Sequence, residues 1–436
     1  MMRPTRRAVL VFAALLPLPW LLVVVAPALW TFAFDASALV LVVLATDAVL
    51  AFPRRRLQLE LRAPEAGFVG VAMHATLALD AGSGRRPTAF EVMLDLGGEA
   101  GPSLAHNPFA VGTSAPSEVE IVPRRRGLAR IDAAWVRWRG PLGFVQQTRR
   151  FALDRVTRVF PSVHASRPAA FDLLFRDALL GSKLQPHRGE GSEFESLRDH
   201  AAGMDVRFVD WKHSARHRKL LSKEFRAERN HPVVLAFDTG HLMREPLDGL
   251  ARLDHAINAG LLLAWLALRS GDLVGAYGFD ARPGAFVTPA RGTHRFRHLQ
   301  QVSADLAYGT DETNFTLGLT ALSARLDRRS LIVLFTDFVD TVTAELLVEN
   351  VQRLTRRHLV VFVALTDPLP SRILGAPPDA VRQMARAVLA YDVLRDRSIV
   401  FERLTRMGIH CLDVPSARLS ASLLNTYIRI KQRGLL

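Results

Sequence analysis

Cysteine is nearly absent: Cys411 stands alone in 436 residues. An intramolecular disulfide is therefore excluded, and so is a metal site built from cysteines. No Gly-x-x-x-x-Gly-Lys-Ser/Thr run occurs, so the chain lacks the loop with which P-loop ATPases cradle phosphates. His-Glu-x-x-His is missing as well. His213 and His217 are spaced to share a helix face, but Ser214 stands where a zinc protease needs glutamate, and no third ligand is evident. Ser214 and Ser222 lie in no Gly-x-Ser-x-Gly elbow and have no partnered base. These gaps point to a binding or scaffold protein rather than an enzyme. Helix-turn-helix, zinc-finger and RNA-binding signatures are also missing. The 56 Lys+Arg and 42 Asp+Glu leave a net charge of +14, but the basic residues are scattered among the acidic ones. Nucleic acid is not the expected partner. An anionic membrane surface or an acidic protein needs no such motif.

Hydrophobic residues are present in excess, at 49% of the chain, and they concentrate at the N-terminus. Residues 8–34 contain no charge, and about 20 apolar residues suffice to cross a bilayer core. A second apolar run, residues 37–52, follows Asp35 and contains Asp47 near its end. The two runs are read as a transmembrane helical hairpin within residues 1–53, in the bilayer over residues 8–52, with its tip at 34–37. Arg3, Arg6 and Arg7 before the first run and Arg54, Arg55 and Arg56 after the second place both flanks inside. The expected location is the inner (cytoplasmic) membrane, with the bulk of the chain facing the cytoplasm.

Residues 54–165 read as a small β-sandwich: period-two runs such as 57–61 and 118–122 alternate with glycine-rich turns. Residues 166–231 read as a linker helix, around 171–180, followed by a polar segment. From 232 to 436 short apolar runs (233–237, 273–279, 331–336, 359–365) alternate with amphipathic segments (250–269, 295–306, 344–357, 417–431). That alternation predicts an α/β fold with a doubly wound parallel sheet. Asp238, Asp280, Asp337 and Asp367 follow the four runs. Parallel sheets bind ligands at the carboxyl ends of their strands, so the four form a candidate cation site; capping the next turn is the plainer role, favoured for Asp367 before Pro368.

The polar segment carries Gly191-x-Glu193-Phe194, Leu197-Arg198, and then Gly203-x-Asp205-x-Arg207-x-x-Asp210-Trp211-Lys212-x-Ser214-Ala215-Arg216. With Lys223-Glu224-Phe225, Arg125-Arg126-Gly127 and Pro141-Leu142-Gly143, this resembles a bacterial domain-of-unknown-function family, number fifty-eight. One departure is His200, where the family usually has tyrosine. The resemblance implies a von Willebrand factor A-like fold after Pro232 and a functional link to MoxR-type AAA+ ATPases. Such folds often hold Mg²⁺ in an adhesion site of the form Asp-x-Ser-x-Ser, completed by a threonine and a later aspartate. Here Asp238, Thr313 and Asp337 fit three of those positions, while Gly240 and Leu242 replace the two serines. No cofactor is expected, and weak Mg²⁺ binding stays open because Mg²⁺ keeps several waters.

In the central motif, Arg198, Arg207 and Arg216 are expected to pair with Asp205 and Asp210 around a Trp211 plug. The alternative makes the same residues, with Gly203, Lys212 and Ser214, a docking surface. The expected function is that of a membrane-anchored adaptor or co-chaperone for a protein partner, a MoxR-type ATPase by resemblance. The alternatives are a metal-dependent hydrolase using the strand-end aspartates and a basic nucleic-acid-binding protein.

Overall fold

The computed structural model describes the chain apart from residues 1, 16, 18, 19, 22, 23, 25–27, 29, 52, 54, 56, 81–89, 98–108, 112–115, 163–187, 202–204, 227–231, 339, 340, 376, 378–380 and 436. The helix expected at 171–180 and Gly203 lie outside the described residues. The chain forms two compact units, Met1–Ser162 and Val163–Leu436.

The first unit opens with β1 (Met2–Pro4), α1 (Arg6–Leu15) and α2 (Trp30–Leu50). The strands β2 (Gln58–Arg62), β3 (Ala66–Phe68), β4 (Met73–Asp80), β5 (Phe90–Gly97), β6 (Phe109–Val111), β7 (Ser117–Ile121), β8 (Gly127–Arg139) and β9 (Val145–Phe160) follow. One sheet runs β1-β9-β8-β5-β6, with β3 also on β9; a second runs β2-β4-β7. Period two puts Leu57, Leu61, Ala75, Leu77 and Ile121 of one sheet and Phe90, Val92, Ile131, Val136 and Trp138 of the other into a single buried cluster.

α2 is long and apolar enough to cross a membrane, and only 6% of its most apolar stretch is buried. It corrects the expected hairpin tip, because residues 34–37 lie inside the helix. Asp35 had suggested a turn, but no glycine or proline accompanies it. The helix-breaking Pro17, Pro19 and Pro27 all come before Trp30. Ser37, from the expected tip, instead accepts a hydrogen bond from Trp20 Nε1 at 3.2 Å.

The second unit begins with β10 (Arg188–Asp199), a 3₁₀ turn (Val206–Phe208), α3 (Trp211–His217) and β11 (Leu221–Arg226), with β10 and β11 antiparallel. Then come β12 (Pro232–Asp238), α4 (His241–Arg244), the short pair β13 (Pro246–Leu247) and β14 (Leu250–Ala251), α5 (Arg252–Arg269), β15 (Leu273–Phe279) and β16 (Pro283–Ala290). The chain continues through α6 (Arg295–Asp305), α7 (Phe315–Ala324), β17 (Leu331–Phe335), α8 (Thr341–Thr355) and β18 (Leu359–Leu365). It finishes with α9 (Pro368–Gly375), α10 (Val381–Arg406), β19 (His410–Val414) and α11 (Ser416–Gln432).

The main sheet has the order β16-β15-β12-β17-β18-β19, parallel except for the antiparallel edge strand β16. Its central strands are continuously apolar because both faces are covered. Val233, Leu235 and Phe237 pack in one cluster with α5 and α11, whereas Val234 and Ala236 pack in another with α7 and α8. Each fully buried Leu or Phe there contributes roughly 1.5–3 kcal/mol by leaving water.

Candidate functional site

The parallel register places the ends of β12 and β17 side by side, with Phe237 opposite Phe335. Asp238 and Thr336 follow those residues, and Thr336 Oγ1 donates to Asp238 Oδ2 at 2.6 Å. Thr313, in the loop before α7, donates from Oγ1 to Asp238 Oδ1 at 2.6 Å. The Gly240 N–H donates to the same oxygen at 2.9 Å, closing a tight turn into α4. Asp238 is 1% exposed. Burial pushes its carboxyl up to about 6, against the hydrogen bonds from Thr313, Thr336 and the Gly240 N–H; the charge of Asp280 adds to the rise. Gly240, at the first serine position of an adhesion site, leaves no room for a side chain. A Cβ there would lie 2.1 Å from Thr313 Oγ1.

Asp337 is committed elsewhere. Its Oδ2 accepts from Arg252 Nη1 at 2.6 Å and its Oδ1 from Arg397 Nη1 at 2.6 Å. Arg252, the first residue of α5, also donates to the Leu365 carbonyl at 3.2 Å and to Asp367 at 3.4 Å. Arg397 grips Asp413 through Nε at 3.1 Å and Nη2 at 2.9 Å, and stacks against Phe338 and Phe401. Although burial opposes its charge, the hydrogen bonds and charges of Asp413 and Asp337 hold the Arg397 proton more tightly than usual.

The structure thus brings Asp238 and Thr313 together but turns Asp337 toward two guanidinium groups. A divalent cation needs free carboxylate oxygens at short distance. Here both oxygens of each aspartate already accept charged or hydroxyl donors, and two cations occupy the space beside Asp337. This donor set does not fit Mg²⁺. Thr336, Arg252, Arg397 and Asp413 went unrecognised in the sequence. Thr336 adjoins Asp337 and was within reach of inspection, but nothing in the local pattern of α5 or α10 signals that an arginine turns inward.

The central motif is built differently. Asp210 caps α3, its Oδ1 accepting the N–H groups of Lys212 and His213 at 3.1 Å each. Its Oδ2 meets His213 Nδ1 at 3.0 Å and Lys223 Nζ at 3.4 Å. The His213 N–H, chiefly, holds the Asp210 carboxyl down to about 2, against desolvation. Ser214 is buried and bonds the Leu221 N–H at 2.8 Å. His200, the departure from the family pattern, meets Ser222 Oγ at 2.7 Å through Nδ1.

Among the described residues, Asp205 pairs with the nearby Arg207, at 2.7 Å. Arg198 and Arg216 are exposed, and among the described residues no ion pair joins them to Asp205 or Asp210. The plug expected at Trp211 is overturned: that side chain is 65% exposed, beside exposed Lys212. The reason is local. Asp210 caps α3 through Oδ1, so Trp211 becomes the first helical residue and projects from the turn.

Residues 196–377 match the family model described as "Protein of unknown function DUF58". Over this segment, well under half of the chain, the protein is similar to the DUF58 family. The match runs from the motif as far as α9 and takes in Asp210, Trp211, Asp238, Thr313 and Asp337, whereas Arg397 and Asp413 lie beyond it. "Uncharacterized protein YeaD" of Bacillus subtilis (strain 168) is 28% identical over 145 residues, 33% of this chain. The chain spans about a third of the length of that curated relative. Among solved structures, BatB from Bacteroides thetaiotaomicron overlaps with a TM-score of 0.25 at 16% identity, over 32% of this chain and 68% of that one. An aerotolerance-related membrane protein from Bacteroides fragilis NCTC 9343 overlaps with a TM-score of 0.21 at 12% identity, over 31% and 66%.

Proposed function

We propose that this protein is a membrane-anchored adaptor that docks a protein partner through the face carrying Trp211. The observation that carries this reading is a large aromatic side chain 65% exposed on a frame held by the Asp210 cap and the Ser214–Leu221 hydrogen bond. A pre-organised Trp among basic residues is the kind of group that dominates binding energy at protein interfaces. In keeping with the family resemblance, the partner is a MoxR-type AAA+ ATPase. The main sheet serves as a von Willebrand factor A-like, doubly wound scaffold, and docking runs without a metal ion. The membrane anchor is a helical pair with Arg3, Arg6, Arg7 and Arg55 on the cytoplasmic side. A strand-end hydrolase finds less support: Asp238 is sealed from substrate and Asp337 is held by two arginines.

The test is co-purification from solubilised membranes. Wild-type protein is expected to retain an AAA+ ATPase, and Trp211→Ala to lose it while melting normally. Retention by the variant would sink the docking role.

A further inference from the structure

Asp47 lies three residues before the end of α2, whose other described side chains are exposed or half-buried, and yet it is fully buried. Its burial comes from one turn. Oδ1 accepts the N–H of Leu142 at 2.8 Å, and Oδ2 accepts those of Phe144 at 2.8 Å and Val145 at 2.7 Å. Three aimed N–H groups replace the water a carboxylate would otherwise demand. The turn joins β8 to β9 and is shaped for this seat. Gly143 has φ +80°, and a Cβ on Gly140 would lie 2.4 Å from Asp47 Oδ1.

The other end of the apolar region converges on the same turn. β1 pairs with β9 through Pro4 and Val145, the Thr5 N–H donates to the Phe144 carbonyl at 2.8 Å, and Thr5 Oγ1 donates to the Gly143 carbonyl at 2.8 Å. Thr5 then caps α1, its Oγ1 accepting the Ala8 N–H at 3.2 Å. Entry to α1 and exit from α2 are therefore fastened to one six-residue turn and lie on one side.

We propose that residues 140–145 form a seat that holds both ends of the apolar region and rests in the headgroup layer of the bilayer, with Leu142 against lipid. This rests on the reading of α2 as membrane-spanning. At ~1.5 Å per residue α2 is about 31 Å long, close to the hydrocarbon thickness. Asp47 then falls at one boundary, and Trp30, 61% exposed, falls at the other, where aromatic anchors collect. Atoms bonded to the Asp47 carboxylate share its depth, and Leu142 at that depth is 54% exposed with Pro141 exposed beside it. Exposed Arg6, Arg7 and Arg55 flank the helix ends, matching an anionic headgroup layer.

The experiment uses the full chain with Cys411→Ser, reconstituted in vesicles of phosphatidylcholine and phosphatidylglycerol, with an environment-sensitive fluorophore on Leu142→Cys. The control probe is Leu128→Cys, equally exposed but at the far end of β8, about 36 Å away at ~3.3 Å per residue. Flotation reports membrane insertion independently. The expected result is a blue-shifted Leu142 probe quenched by shallow-brominated lipid, with the Leu128 probe untouched. Asp47→Asn and Gly140→Ala should each float normally and lose the Leu142 quenching. Floating protein whose Leu142 probe is quenched no more than Leu128, or is quenched equally in both variants, overturns the seat. Protein that fails to float overturns the spanning reading and the seat with it.

Discussion

The strand-end cluster and the motif segment are made of the same residue types, aspartates and arginines, and use them in opposite ways. At the strand ends Arg252 and Arg397 are drawn in, and Asp337 and Asp413 neutralise them among hydroxyl groups and carbonyls. In the motif Asp210 satisfies backbone N–H groups, which leaves Trp211, Lys212 and Arg216 facing outward. An ion cluster centred on buried Asp337 and Arg252, whose members satisfy one another, has little left to offer a ligand. An exposed aromatic on a capped turn has most of its surface to offer.

The largest expected effect lies in the buried cluster. Asp337→Ala leaves the buried Arg252 and the half-buried Arg397 guanidinium groups each short of an acceptor, and breaking a buried pair costs about 3–5 kcal/mol. Urea unfolding should show a midpoint well below wild type; an unchanged midpoint would mean that the cluster is not structural.

Next comes Asp238. Its carboxyl is raised from 3.8 unfolded to about 6 folded, so the folded state binds the extra proton between those values. Stability should therefore fall as pH rises from 4 through 6, by about 3 kcal/mol, and stay reduced above that. Asp238→Asn should remove this decline, as read by unfolding midpoints across that pH range.

Asp210 has the opposite sign. Its carboxyl is held down to about 2, so its contribution is present above pH 4 and is lost as pH falls through 2. Asp210→Ala should lower the melting temperature at pH 7 and flatten the acid limb of the stability curve.

The smallest effect on stability belongs to Trp211→Ala, within about 0.5 kcal/mol as for other exposed positions. A larger loss of Tm there would blur the contrast between the two regions.

Much of the fold was legible in the sequence. The runs at 273–279 and 359–365 coincide with β15 and β18, because a strand buried on both faces must be apolar throughout. The amphipathic patterns at 295–306 and 417–431 matched α6 and α11 to within a residue at each end. What escaped notice was non-local. α10 is exposed along much of its length and carries Arg397 inward, so apolar spacing gives little warning of it. Asp47 looked like a membrane liability because its acceptor role depends on a turn 95 residues away. Asp238 and Thr313 could be paired from the sequence, but the arginines that engage Asp337 come from helices 85 residues before it and 60 after it.

The most direct test is a metal challenge to the partner complex. Full-length protein is solubilised from membranes together with the protein partner it is proposed to dock, held in excess EDTA, and then returned to Mg²⁺, while the retained partner is quantified at each step. Because the strand-end aspartates are already occupied by arginine and hydroxyl donors, the amount retained should not change with metal. A complex that dissolves in EDTA and re-forms with Mg²⁺ would contradict this and restore a working metal site at Asp238.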